Sequence, residues 1–79
     1  MAEGQRFYGW ANRSTWVTFL WLTADEETYN YARKLAQAGL KEFRDWGRSY
    51  VRNHPQIAED VKPRREVDWE QVLNAIRIG

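Results

Sequence analysis

The sequence contains no cysteine and only one histidine, His54. Without thiols the fold cannot be held by disulfides or by thiolate-bound metal, and a single imidazole makes a zinc site only where several carboxylates converge on it. We therefore expect neither a metal nor a cofactor. A chain without cysteine is most simply an intracellular protein, so we expect it in the cytoplasm.

Long hydrophobic runs are also missing. The longest, Trp16 to Leu22, has seven residues interrupted by Thr18, whereas a membrane-spanning helix needs about 20. The start MAEGQRF lacks the apolar stretch of a secretion signal. We expect no association with a membrane.

Neither sign of charge is in large excess. Twelve basic and 11 acidic side chains give a net charge of +1. A mimic of the DNA backbone needs a large surplus of carboxylates, so that class is excluded, and indiscriminate nucleic-acid binding gains little support.

Aromatic residues are abundant: five Trp, four Tyr and three Phe in 79 residues. A chain of this length forms one small domain, residues 1–79, that buries only about two-thirds of the surface of its unfolded state. We expect some of these rings in the core and others at the surface, where they mark a contact site for a partner.

The stretch NRSTWVTFLWLT predicts the first helix. Asn12 is a favoured N-cap, and the helix then runs from Arg13 to about Leu22 with only Thr18 polar within its apolar run. Apolar residues on all sides are typical of a buried central helix. The β-branched and aromatic content also suits a strand, but no second segment resembles a partner strand, so a helix is favoured.

Two further helices follow. Asp25 caps the second, Gly39 ends it, and the third runs from Leu40 to about Asn53, before His54 and Pro55 stop it. The predicted core face of the second helix is Tyr31, Ala32, Leu35 and Ala36. That of the third is Leu40, Phe43, Trp46, Gly47, Tyr50 and Val51.

The last helix begins in VDWEQV. Asp68 is its predicted N-cap, Gln71 the reciprocal capping partner, and Val67 with Val72 the hydrophobic staple. Residues 1–11 are predicted as an arm over the core, and residues 54–66 as a loop with one short helical turn. The predicted fold is a small, single-domain all-α bundle of three to four helices around the tryptophan-rich central helix.

Basic residues recur along the third helix. Lys41, Arg44, Arg48 and Arg52 form one stripe that could follow a phosphate backbone, although an ordinary solvated face is the favoured interpretation. Lys62, Arg64 and Arg65 form a second basic cluster in the loop. If this cluster folds beside the stripe, binding of nucleic acid gains support.

Catalysis finds little support. Adjacent acids at Asp25, Glu26 and Glu27 suit a helix dipole better than acid–base chemistry. Ser14 and Ser49 have no obvious activating histidine. We expect a protein that is not an enzyme.

Two groups near the N-terminus are open to a structural or a recognition role. Arg13 either stacks on Trp10 or Trp16, or reaches an acid such as Glu26, or faces a partner. Tyr8 and Trp10 either cover the core or contact a partner.

The segment YGWANRSTWVTFLWLTADEETY, with VDWEQVLNAI near the end, resembles a group of small uncharacterised phage and prophage proteins. Its members share a W-x-N-R-x-T-W start, an apolar L-W-[LI] run, an acidic D-E pair and a closing V-D-W. The resemblance covers the first third of the chain and the last helix. It implies a viral or mobile-element setting, in which small proteins commonly bind and block a host protein.

The functional prediction is a non-enzymatic accessory protein that binds a host protein or complex, with inhibition of a defence system such as a CRISPR effector as its effect. One alternative is a nucleic-acid-binding protein that uses the basic stripe, and another is a self-associating structural protein such as a homodimer. The predicted partner-binding residues are Tyr8, Trp10, Arg13, Arg44, Arg48, Arg52, Arg64 and Arg65.

Overall fold

The computed structural model describes residues 9–78, which form an all-α fold, as predicted. Tyr8 lies outside these residues. The helices are α1 (Arg13–Thr23), α2 (Glu26–Ala38), α3 (Leu40–Arg52), α4 (Pro55–Asp60) and α5 (Trp69–Ile78), with a 3₁₀ turn at Arg64–Glu66 between the last two. Within the same range, no helix has both the length and the hydrophobicity to cross a membrane.

The predicted caps set the helix boundaries. The side chain of Asn12 accepts from the backbone N–H of Thr15, and that of Asp25 accepts from Thr28. Gly39 separates α2 from α3 with a φ of 137°, a conformation that side chains with a Cβ rarely adopt. Short polar side chains and one glycine therefore explain where the first three helices begin.

The core lies where α2, α3 and α5 meet, with α1 against α2 and α5. The prediction that α1 is buried on all sides is wrong. Its fully buried side chains include Thr15 and Thr18, whereas Leu20 is 44% exposed. The rings of α1 are partly buried against the core. The buried hydrophobic residues are Val17, Leu22, Ala32, Ala36, Phe43, Val51, Ile57, Val61, Val67, Trp69, Val72, Leu73 and Ile76.

Helix α3 meets α5 at unusually close range. Gly47 is buried under the ring of Trp69, and a Cβ at this position would lie 2.3 Å from Cζ3 of that ring. The edge of Phe43 also meets the Trp69 ring, at a centroid distance of 6.0 Å. A residue with no side chain therefore lets the largest side chain of α5 reach the backbone of α3.

A polar clasp joins the start of α1 to the start of α5. The hydroxyl of Thr15 accepts from the backbone N–H of Asp68 at 2.9 Å and donates to Oδ1 of Asn12 at 2.8 Å. The amide of Asn12 in turn donates to the carbonyl of Glu66 at 2.8 Å. We call this group, Asn12, Thr15 and the backbone of residues 66–68, the polar clasp.

The predicted capping box of α5 is only half correct. Asp68 accepts from the backbone N–H of Gln71, as predicted. However, the side chain of Gln71 does not accept a hydrogen bond from the N–H of Asp68, because that N–H donates to the hydroxyl of Thr15. Its amide instead binds Gly9 and Ala11, and so holds residues 9–11 against α5.

The predicted core faces of α2 and α3 are also partly wrong. Tyr31 is 48% exposed and Leu40 is 38% exposed. Trp46 and Tyr50 are only partly buried. The buried strip of α3 consists of Phe43, Gly47 and Val51.

The short helical turn predicted within 54–66 is present as α4, and the 3₁₀ turn at Arg64–Glu66 was not predicted. The buried side chains of Ile57 and Val61 fix this segment to the core. Val67, 8% exposed, fixes its other end. The residues between Val61 and Val67 therefore form a short bridge with both ends anchored.

Candidate functional site: an arginine groove

A groove of about 270 Å³ runs between the end of α3 and the bridge from Val61 to Val67. Arg48 and Arg52 line one side of it, and Arg64 and Arg65 the other. Its floor is apolar and is made by Val51, Val61, Val67 and Trp69. We call this feature the arginine groove.

The fold brings together two clusters that are separate in sequence. Arg48 and Arg52 lie four positions apart, so they project from the same side of α3. The buried residues Val61 and Val67 hold the intervening bridge against that side. The loop cluster therefore folds beside the stripe.

The basic stripe itself divides into two halves. Lys41 pairs with Asp45 at 3.0 Å, and Nε of Arg44 lies 3.7 Å from the same carboxylate. The hydrogen bond from Lys41 is the main reason why the pKa of Asp45 lies below its usual value. Arg44 is thus partly neutralised and lies outside the groove, unlike Arg48 and Arg52.

The four arginines of the groove make no ion pair among residues 9–78, although the charge of Arg48 contributes to lowering the pKa of Asp45. No carboxylate in that range lines the groove, and none lies within ion-pair distance of their guanidinium groups. The remaining cation of the bridge, Lys62, pairs with Glu59 at 3.0 Å instead. The groove is therefore a concentrated positive site on a chain of almost balanced charge.

Arg13 contacts an acidic group, which is one of the predicted alternatives, but the acid is Asp60 rather than Glu26. Its guanidinium donates to Oδ1 and to the backbone carbonyl of Asp60, both at 2.8 Å. The other carboxylate oxygen of Asp60 accepts from the indole of Trp21 at 3.0 Å. The contact found is neither stacking on Trp10 or Trp16 nor a pair with Glu26. Through Arg13 and Trp21, Asp60 links α4 to α1.

These two hydrogen bonds, first from Trp21 and then from Arg13, lower the pKa of Asp60 from its ordinary value of 3.8. A pKa lowered by folding stabilises the protein above the unfolded value, and this stability is lost as the pH falls through the folded value. Because both side chains are nearly half exposed, we expect a contribution below about 1 kcal/mol.

The corresponding prediction concerns Asp60→Asn, which keeps an acceptor for Trp21 and removes the charge. In urea unfolding, wild type should exceed Asp60→Asn in stability at pH 7, and the gap should narrow as the pH falls below the ordinary carboxyl pKa of 3.8. Glu59→Gln, on the same helix, is the control and should track wild type more closely. A gap that is constant with pH would contradict the linkage.

Trp10, the other predicted contact residue near the N-terminus, is half buried. Its ring packs against Phe19 of α1 at a centroid distance of 4.8 Å. Trp10 thus covers part of α1 and does not line the groove. Tyr8 lies outside the described residues.

The groove can bind anions but offers no evident catalytic chemistry. Guanidinium groups donate hydrogen bonds and hold charge, but at neutral pH they are neither bases nor nucleophiles. Among residues 9–78, no three His, Cys, Asp or Glu side chains come close enough together to hold a metal ion.

Sequence reasoning identified all four arginines but missed the floor of the groove. Val61 and Val67 flank the charged bridge symmetrically, and this pattern of an apolar residue at each end could have indicated that both ends are anchored. Trp69 was recognised only as part of the last helix. No protein-family model, curated protein or solved structure matches this chain.

Proposed function

We propose that this protein is a non-enzymatic binding protein and that the arginine groove binds an acidic segment of a partner protein. The observation that carries the proposal is the meeting of four arginines that make no ion pair, among the described residues, around an apolar floor. Such a groove has unpaired positive charge above a floor that is apolar but only narrowly accessible, since none of its four residues is more than 8% exposed.

The apolar floor favours a protein segment over a phosphate backbone. Carboxylates fit the guanidinium fork with two parallel hydrogen bonds. An apolar side chain next to a carboxylate would at the same time cover the edge of Trp69 and the arginine stems, which are themselves apolar. A nucleic-acid backbone supplies the negative charge but no apolar group for the floor.

Arginine and tryptophan are enriched among the residues that dominate protein interfaces. The groove places Arg64 and Arg65, on the bridge that Val61 and Val67 fix in place, above the edge of Trp69, which is 7% exposed. The fixed backbone of the bridge reduces the conformational entropy lost on binding, whereas the exposed arginine side chains still lose rotamer freedom.

The resemblance to phage and prophage proteins supports a partner inside the host cell. We propose that the outcome of binding is occlusion: the chain covers a surface that a host complex needs, with a defence complex such as a CRISPR effector as the proposed target. This activity requires tight contact and no turnover.

Nucleic acid is the second candidate, because Arg64 and Arg65 lie beside Arg48 and Arg52, which is the arrangement that a phosphate-binding surface needs. Salt separates the two candidates. Affinity that depends on phosphate contacts falls steeply as salt rises, whereas contacts with the apolar floor persist.

The test is selection of binders from a displayed random peptide library, together with titration of labelled single-stranded and duplex DNA. We expect selected peptides to carry Asp or Glu beside an apolar residue. Arg48→Glu combined with Arg52→Glu should weaken their binding by about 100-fold or more, because each reversal removes a charge pair and adds a repulsion.

The matched control is Lys34→Glu combined with Arg77→Glu, which makes the same change in net charge at exposed positions that do not line the groove. It should bind the peptides almost as wild type does. Arg48→Lys with Arg52→Lys keeps the charge but loses the guanidinium fork, and should weaken peptide binding more than DNA binding. Tight DNA binding without peptide selection would favour the second candidate, and absence of both would exclude the groove as a binding site.

A further inference from the structure

A line of partly exposed aromatic rings runs along the flank of α3 that is opposite the arginine groove. Trp46 lies 5.4 Å from Tyr31 and 5.3 Å from Tyr50, and Tyr50 lies 4.3 Å from the ring of His54, measured between centroids. We call these four residues the aromatic strip. Successive helical residues turn by about 100°, so Tyr50 and Arg48 project about 160° apart.

Two depressions meet at Tyr50. The first, of about 590 Å³, is bounded by Trp21 on one side and by Tyr50 and His54 on the other. The second, of about 410 Å³, is bounded by Tyr31, Trp46 and Tyr50. Three rings therefore line the first depression and three line the second, with Tyr50 shared.

The rings are held in place by polar contacts at the edges. The indole N–H of Trp21 donates to Asp60. Nδ1 of His54 lies 2.7 Å from the carbonyl oxygen of Tyr50, and because a carbonyl only accepts, Nδ1 carries the hydrogen. The walls of the first depression are thus fixed before any ligand arrives.

Both depressions have an acidic rim. Asp25 lines the first and Glu27 lines the second, whereas none of the lysines and arginines among residues 9–78 lines either one. The charge is opposite to that of the arginine groove. Aromatic faces are negative above the ring plane, so rings and carboxylates here favour the same sign of ligand.

We infer that the aromatic strip is a second binding surface, which takes lysine or arginine side chains from a basic segment of a partner protein. The cation lies against Trp21 and the exposed part of Tyr50, whose ring is flanked by Trp46 and His54, and its charge is balanced by Asp25 and Glu27. Phosphates and acidic peptides are disfavoured by the same two carboxylates. This inference does not depend on the arginine groove, which uses other residues.

Three short peptides of identical length test the inference: one contains two arginines, one has lysines in their place, and one has the neutral isostere citrulline. Binding is followed in ¹⁵N-labelled protein through the indole N–H signal of Trp21. We expect both cationic peptides to shift this signal at submillimolar to millimolar concentration. The citrulline peptide should bind at least about 5-fold more weakly, because it lacks the cation.

Asp25→Asn is the matched charge variant, because asparagine caps a helix about as well as aspartate and so keeps the start of α2 intact. Together with Glu27→Gln it should weaken the cationic peptides about 3- to 10-fold and leave the citrulline peptide unchanged. Tyr50→Leu should weaken them about 2- to 5-fold, while Tyr50→Phe, which keeps the ring face, should not.

Three results would overturn the inference. Equal binding of the citrulline peptide would show that the cation is not recognised. The absence of any shift up to 10 mM peptide would show that the strip binds no such side chain. A shift of the Trp21 signal that follows protein concentration alone would assign the strip to a second copy of this chain, as in the homodimer alternative.

Discussion

Replacing Gly47 with alanine is expected to lower the free energy of unfolding by about 2 kcal/mol, although the same change at an exposed helical site stabilises by up to about 1 kcal/mol. The reason is the ring of Trp69, which would lie only 2.3 Å from the new Cβ. A chain of this length has a total stability of roughly 4 to 12 kcal/mol. The melting temperature should therefore fall by about 10 °C or more, measured by circular dichroism.

The control for this prediction is a substitution of Trp69 on α5. Trp69→Phe removes part of the ring that occupies the space above Gly47, so Gly47→Ala should cost at least about 1 kcal/mol less in that background than in wild type. A double-mutant cycle in urea measures this difference. If Gly47→Ala raises the stability of the otherwise native chain, the close contact between α3 and α5 is refuted.

Thr15→Val is expected to lower the stability by about 1 to 2 kcal/mol. Valine fills the same volume, so packing is kept, but the backbone N–H of Asp68 loses the hydroxyl that accepts its hydrogen bond at 2.9 Å. Leaving a partly buried N–H donor without an acceptor lowers the free energy of unfolding by about this amount. The loss should be seen in urea unfolding and as faster amide exchange at the start of α5.

Thr18→Val is the matched control, since Thr18 is equally buried and lies on the same helix. Its hydroxyl only donates to the carbonyl of Ser14, which remains within the hydrogen-bond pattern of the helix after the change. We expect a change within about 0.5 kcal/mol. Equal losses for both variants would mean that the polar clasp has no special role in joining α1 to α5.

The polar clasp gives the W-x-N-R-x-T-W and V-D-W motifs of this sequence a structural role. Asn12, Thr15 and Asp68, which carry the resemblance, are used to hold two helix starts together. Arg13 and Trp21, also within it, both bind Asp60. These motif residues therefore stabilise the fold, while most residues of the arginine groove lie outside the two motifs.

The helix boundaries could be predicted because capping is local. Asn12, Asp25, Gly39 and Pro55 each act within about four residues of their own position, so the information is contained in a short stretch of sequence. The same holds for the spacing of Arg48 and Arg52 on one side of α3. Such features need no knowledge of the tertiary structure.

Partners that are distant in sequence could not be predicted in this way. Asp60 lies 47 positions from Arg13, and a charged residue has many equally suitable partners before the helices pack. The degree of exposure of the rings was misjudged for a similar reason. Periodicity shows which side of a helix is apolar, but the neighbouring helix decides how much of Tyr31 or Trp46 it covers.

The anchoring of the bridge at Val61 and Val67 has a kinetic consequence. The backbone of Arg64 and Arg65 does not need to rearrange when a ligand binds, because the segment that carries them is fixed at both ends. Association at the groove should then be a single diffusion-controlled phase, accelerated at low ionic strength, with no slower step of loop closure. Stopped-flow traces that are single exponential at every ligand concentration would be the signature of such rigid docking.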